Sequence, residues 1–301
     1  MGKYSEETFR GWHKAASETE ESRISNTLSM VRDGVSNHPE LSKRDIEIFV
    51  QGSYGNNTNV RKESDIDVCV MLRSTFFSKY PQGVSRANYG FTEGTNSYSD
   101  FRKWVIKAMN DKFGSDYVDT GNKSVKIQSN SYHVHADVVP AFQYRNYTGD
   151  RRIDSENFVE GIKFFSSTKE TIVNYPKLHI ENGKAKNAET KRRYKRLIRI
   201  FKRIKIQMEN EGKSVNSTIT SFLLSGLIYN LPNSIFNDLD TWEDRIKKAI
   251  IYLWNHTKES SDCGDWTEVS EMLLLFNPDR KWTHQDVNFF LKEMWNFLEF
   301  K

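Results

Sequence analysis

The amino-acid sequence predicts an α+β chain in two lobes: a mixed-sheet lobe with a long N-terminal helix over residues 1–180, and a helical lobe over residues 181–301. Three observations predict it. Apolar and polar residues alternate with period two in DIEIFVQ, DIDVCVML and HVHADVV, all in the first part of the chain. From about Thr190 the apolar residues recur instead at helical spacing. The sequence shows no internal repeat and no low-complexity segment that would point to a solenoid or a disordered chain.

In order along the chain, residues 5–36 read as one helix, because Phe9, Trp12, Ala16, Ile24, Leu28 and Val31 lie near one face; His38-Pro39 ends it. Residues 45–51 form a strand that runs into the Gly-Ser of GSYGNNT, and residues 65–72 form the next. Between Arg73 and Ser99 the composition turns to Ser, Gly, Asn and Tyr, which predicts a long loop or flap. Residues 101–113 are an amphipathic helix, and residues 125–128 and 133–139 are short strands, the second closed by Pro140. Helices follow over residues 190–211, 217–231, 242–257 and 283–297.

Bulk properties narrow the function classes. With 37% hydrophobic residues the chain has material for an ordinary globular core, and no apolar run nears the roughly 18 residues of a membrane span. The N-terminus carries no apolar signal segment, so the expected location is the cytoplasm and no membrane partner is expected. Cys69 and Cys263 lie far apart without metal-ligand spacing, which argues against a disulfide framework or a zinc site. The net charge of +4 is modest, but residues 184–205 hold eleven Lys or Arg against one acid. Such a run attracts polyanions, nucleic acid or triphosphate, or else forms a solvated helix face.

The chemistry concentrates in three short segments. Gly52 and Ser53 follow one strand, Asp65 and Asp67 start the next, and Asp137 sits in the otherwise apolar AlaAspValValPro of a third. Alternation puts Asp65 and Asp67 on one face, with Ile66 and Val68 toward the core. Carboxylates so close repel unless a cation lies between them, and a divalent magnesium with oxygen ligands meets that need. Three carboxylates can hold two metal ions that activate an attacking hydroxyl and hold a leaving pyrophosphate. The glycines of GSYGNNT let backbone N–H groups approach phosphate, with the Ser53 hydroxyl as a further donor; this is not a Walker loop. Singly, each feature also has an ordinary reading as a loop, a cap or a surface acid.

The stretch FVQGSYGNNTNVRKESDIDVCVML, with HADVVPAF, resembles the polymerase-β-like nucleotidyltransferases. Within them it looks like the bacterial cGAS/DncV-like enzymes, cyclic-oligonucleotide synthases of anti-phage defence. The resemblance covers most of the chain, including Thr19-Glu20-Glu21-Ser22-Arg23, the basic helix around Arg199 to Lys205, and the DVVPAFQYR and NYPK phrases, which look like clade E. It implies that Asp65, Asp67 and Asp137 hold two Mg2+ ions, which Mn2+ can replace, that Gly52 and Ser53 bind donor phosphate, and that Gln51 is a substrate-binding residue beside them. Lys202 and Ser221 match the lysine and serine that contact the triphosphate, with Lys195 or Lys205 as alternatives to Lys202. Ser225 stands before Gly226 where many relatives carry an acid, a departure that weakens the match of the helical lobe. Asn174 matches a base-contacting position, and its amide suits uracil; the plainer reading is a capping residue in the turn before Pro176. The implied partners are ATP, GTP, UTP or CTP, with a downstream effector reached only through the product, and the expected state is a monomer. Two other functions share this pattern: a template-independent RNA or tRNA nucleotidyltransferase, and an inactive binding or antitoxin protein on the same fold. The second typically loses an acid or the Gly-Ser, and this chain keeps all of them.

Overall fold

In the computed structural model, residues 2–14, 18–60, 65–148 and 153–301 are described. Helices α1 (Glu6–Trp12) and α2 (Glu18–Asn37) precede strand β1 (Ile46–Gln51), the single helical turn α3 (Gly52–Gly55) and strand β2 (Ile66–Lys79). Helix α4 (Tyr98–Phe113) leads to strands β3 (Val118–Thr120), β4 (Val125–Ile127), β5 (Ala136–Asn146), β6 (Val159–Phe165) and β7 (Thr171–Asn174). The rest is helical: α5 (Pro176–Glu189), α6 (Tyr194–Asn210), α7 (Ser221–Tyr229), α8 (Asn233–Asn237), α9 (Trp242–His256) and α10 (His284–Phe297). No helix of the described residues is long and apolar enough to cross a membrane.

The α+β class and mixed sheet are as the sequence predicts. The strands order as β1-β2-β5-β4-β3, with β6 on β5 and β7 on β6. β2 and β5 run parallel, whereas their other neighbours are antiparallel. Alternation then gives the sheet two different faces. Ile66, Val68, Val70, Ala136 and Val138 join Val31 of α2 and Phe101, Val105 and Met109 of α4 in one apolar layer. On the opposite face Cys69, Met71, Val139, Ala141, Ile162 and Phe164 make a smaller buried cluster. Asp65, Asp67 and Asp137 share the parity of this second face.

Several local expectations are corrected. The chain breaks the N-terminal helix at His13, which C-caps α1; Ala16 lies outside the described residues. The two pieces bury into different cores, Phe9 with the helical cluster and Ile24 and Val31 with the sheet. The flap expected from Arg73 is strand as far as Lys79, because β2 resumes pairing with β5 after a bulge between Leu72 and Phe76. Nor does Pro140 end β5. Its missing N–H falls where β4 has stopped pairing at Val138 and β6 has not begun until Phe142, so no bond is lost on that side. The helix expected over residues 190–211 is α6 alone, preceded by the separate helix α5, with Lys191 and Arg192 at positive φ between them.

The chain divides into two compact units. Described residues within Ser17–Tyr54 and Ser64–Lys177 form the sheet unit, and those within Met1–Ala16, Gly55–Glu63 and Leu178–Lys301 form the helical unit. In the latter, α6 buries Leu197, Ile200, Phe201 and Ile204 against Leu223, Leu224 and Leu227 of α7, and α9 and α10 add Ile246, Leu253, Phe290 and Met294. The short helix α1 belongs here through Phe9, which is 0% exposed. Its Ser5 N-cap accepts a hydrogen bond from the Thr8 backbone N–H. Phe9→Ala is therefore expected to cost roughly 3–5 kcal/mol, measured by urea denaturation. A loss below about 1 kcal/mol would show that α1 is a dispensable appendage.

Candidate active site

The site face is built from β1 upward. Gln51 ends β1, and the chain turns at Gly52 with φ +63°, a left-handed conformation that favours glycine. A Cβ placed there would lie 1.8 Å from Asp67 Oδ2 and 2.7 Å from its Cγ. The bare Cα of Gly52 thus gives the Asp67 carboxylate its room. Ser53 follows within one helical turn, Gly52–Gly55.

Strand register places the acids. Gln51 is paired with Asp67, Asp67 with Asp137, and Asp137 with Lys126, forming one row across β1, β2, β5 and β4. Asp67 and Asp137 are half-buried; Asp65 is exposed just before β2 begins. The Ser124 hydroxyl, itself buried, donates to Asp137 Oδ1 at 2.9 Å. Ser124 and Lys126 were not singled out from sequence. Their only signal was the alternation about Val125, and that is too short to show which face meets the acids.

As they stand, no three His, Cys, Asp or Glu side chains among the described residues are gathered as a metal-holding group. The donor chemistry nevertheless fits magnesium. Two carboxylates stand side by side on adjacent strands, a third lies two residues upstream with the same parity, and all are hard oxygen donors.

The same face continues toward Asn174. Gln143 pairs with Ile162, and Ile162 with Asn174, so Asn174 projects on the side of Asp137, six residues before Gln143 on β5. Asn174 is the last residue of β7, and its amide has no hydrogen-bond partner among the described residues. The capping role is therefore not what it performs. Beyond it, Lys177 Nζ lies 2.7 Å from Glu47 Oε1 and 2.6 Å from Glu160 Oε1. Burial works against its charge, but the bonds to Glu160 and Glu47 outweigh that and hold its pKa above the ordinary lysine value. Glu160 Oε2 also accepts from Gln143 Nε2, so β1, β5, β6 and the start of α5 share one brace.

Lys202 and Ser221 belong to the helical unit. Lys202 is 3% exposed, so the basic run is not simply a solvated face. Lys195 is also buried; burial, with Lys184 and Arg199 nearby, lowers its pKa to about 8. Burial, then the charges of Lys195 and Lys202, pushes His179 down to about 4. Lys205, by contrast, is engaged with Glu209 at 2.6 Å. Ser221 is exposed at the start of α7; the hydroxyl that bonds back along this helix is that of Ser225, donating to the Ser221 carbonyl.

Gly52→Ala is expected to destabilise the protein by more than about 1 kcal/mol, since it meets both the positive φ and the Asp67 carboxylate. Chemical denaturation checks this; a neutral effect would mean that the turn relaxes freely.

Comparison with known proteins bears on this arrangement. Residues 36–159 match the nucleotidyltransferase domain family, and residues 181–299 match the cGAS/DncV-like nucleotidyltransferase C-terminal helical domain. A cyclic dipyrimidine nucleotide synthase of Cecembia lonarensis is 44% identical over 100% of both chains. Another of that name, from Legionella pneumophila, is 34% identical over 98% of each. The structure of the Rhodothermus marinus c-UMP-AMP synthase with Apcpp and Upnpp superposes with a TM-score of 0.83 at 30% identity, covering 97% of this chain and 95% of that one. With the sheet, the helical unit and the acids in this order, the chain belongs to the cGAS/DncV-like nucleotidyltransferases and is most similar to their clade E members.

Proposed function

We propose that this enzyme joins nucleoside triphosphates into a cyclic di- or oligonucleotide that contains uridine, with Asp65, Asp67 and Asp137 holding two magnesium ions. The observation that carries this reading is the register that sets Asp67 beside Asp137 on adjacent parallel strands. Nucleotidyltransferases of this family work with divalent metals, and similar enzymes have been solved with nucleoside triphosphates or their analogues. Among the similar synthases two are named for cyclic dipyrimidine nucleotides and one for cyclic UMP-AMP, whereas others are named for cyclic GMP-AMP and dipurine products. The product would serve as a second messenger of anti-phage defence, as the family implies.

Each residue has a defined part. Gln51, Gly52 and Ser53 form the end of β1 and the turn that receives donor phosphate, where the missing Cβ of Gly52 admits close backbone approach. Asp65 and Asp67 hold the ions, and Asp137 completes the set and orients toward the acceptor hydroxyl. Bound magnesium supplies positive charge to the triphosphate and lowers the pKa of that hydroxyl. Ser124 fixes one oxygen of Asp137, leaving the other to face the substrate. Lys202 and Ser221 contact the triphosphate, with Lys195 as the alternative cation. Asn174 reads the base: its amide, without a partner among the described residues, offers an acceptor and two donors in a plane, complementary to O4 and N3–H of uracil.

Incubating the purified protein with the four triphosphates, one radiolabelled at a time, and resolving phosphatase-resistant products tests the reading. Asp65→Asn with Asp67→Asn is expected to abolish these products while the melting temperature stays the same or rises, because like-charge repulsion is relieved. Wild-type turnover by the double variant in magnesium would remove these acids from the chemistry. Triphosphate and magnesium together should raise the melting temperature by more than the sum of their separate effects, since the ions take ligands from both protein and substrate. Strictly additive shifts would count against a shared site. Asn174→Ser is expected to move incorporation from uridine toward purines by about tenfold, the scale of one lost hydrogen-bond partner. Mass spectrometry of products from equimolar triphosphates measures this, and an unchanged distribution at full activity would take base reading away from Asn174.

A further inference from the structure

We propose that Tyr175 is the positioning residue for Asn174, seated on the bare backbone of Gly161 and anchored by Asn146, so that base selectivity is set partly from the opposite face of the sheet. The inference rests on the reading of Asn174 as the base-contacting residue.

Asn174 and Tyr175 project to opposite sides of the chain. Asn174 is on the face of the acids, where its neighbour Ile172 packs on the smaller cluster. The Tyr175 ring turns to the other side and is 5% exposed. There it lies directly on Gly161 of β6. A Cβ at Gly161 would come within 2.9 and 3.0 Å of two Tyr175 ring carbons and 2.8 Å of the Asn174 carbonyl oxygen. Those separations are shorter than carbon contacts normally allow, and one of the partners is backbone. The seat therefore exists only because residue 161 has no side chain.

The far end of the ring is fixed as well. The Tyr175 hydroxyl accepts from Asn146 Nδ2 at 3.1 Å. Asn146 cannot turn its amide over without loss, because its Oδ1 already accepts from the Thr148 backbone N–H at 3.0 Å and from the Thr148 hydroxyl at 2.6 Å. Asn146 is 6% exposed, so these bonds are sheltered from water. Tyr144, the partner of Gly161 across β5 and β6, meets the Tyr175 ring edge-on at 6.2 Å and 73°. Ring, seat and hydroxyl leave the Tyr175 Cα little freedom. The Asn174 Cα is one peptide plane away, and its side chain has no hydrogen-bond partner among the described residues to aim it. The direction in which the Asn174 amide points thus comes from Tyr175.

The test compares product ratios from equimolar triphosphates in magnesium, with KM for UTP and for ATP measured separately from kcat. Gly161→Ala and Tyr175→Phe, each in the full chain, are expected to shift the pyrimidine-to-purine ratio by about tenfold, through KM more than kcat, the scale on which small misplacements act. Neither should shift the ratio further when combined with Asn174→Ala, since a residue acting through Asn174 has nothing left to position. Tyr175→Phe keeps the ring in its seat and loses only the bond to Asn146, so it answers the question even if Gly161→Ala does not fold. A ratio that Asn174→Ala changes but Tyr175→Phe and Gly161→Ala do not would overturn the positioning role alone. A shift that persists on the Asn174→Ala background would overturn it too. If Asn174→Ala itself left the ratio unchanged, the base-reading assignment would fall, and this inference with it.

Discussion

The structure depends on the juxtaposition of two like charges. Asp67 and Asp137 occupy paired positions on adjacent parallel strands, an arrangement whose like-charge repulsion costs free energy unless other groups offset it. Much of the local architecture accommodates that cost. Gly52 takes a left-handed backbone so that nothing crowds the Asp67 carboxylate, Ser124 donates to Asp137, and Lys126 stands at the next position of the same row. A protein selected only for stability would replace such a pair with apolar residues like those directly before and after them, Ile66, Val68, Ala136 and Val138.

The two faces of the sheet divide the labour. One packs against α2 and α4 through a large apolar layer and supplies most of the sheet unit's burial. The other has a thin apolar floor between two polar ends, the acids at one and Asn174 with its brace at the other. The floor joins both ends through one continuous run of paired strands, β5, β6 and β7.

The sequence showed the acids because a strand's period of two makes face membership readable residue by residue. Asp65 and Asp67 among Ile66, Val68 and Val70 could be assigned without knowing the neighbours. What it did not show depends on pairing between distant segments. The survival of β5 past Pro140 requires knowing that β4 stops at Val138 and β6 starts at Phe142. Helix α5 was missed for a different reason: its apolar residues are scattered around the helix, and Pro176 reads equally as a turn or as the first residue of a helix. The break after His13 separates two cores that both wanted apolar residues at helical spacing, so periodicity ran on across it. The burial of Lys195 and Lys202 was not readable in the sequence because it is fixed by packing around α6, not by the local pattern.

The brace at Lys177 has an implication for how such an enzyme could diversify. One ammonium is shared between glutamates on two strands that are not neighbours, Glu47 on β1 and Glu160 on β6. Loss of either acid leaves the other in place, so drift at one of them need not release the segment that follows Asn174. Redundancy of this kind makes this end of the face tolerant of change, because residue 174 can be exchanged on a frame that withstands an imperfect neighbour.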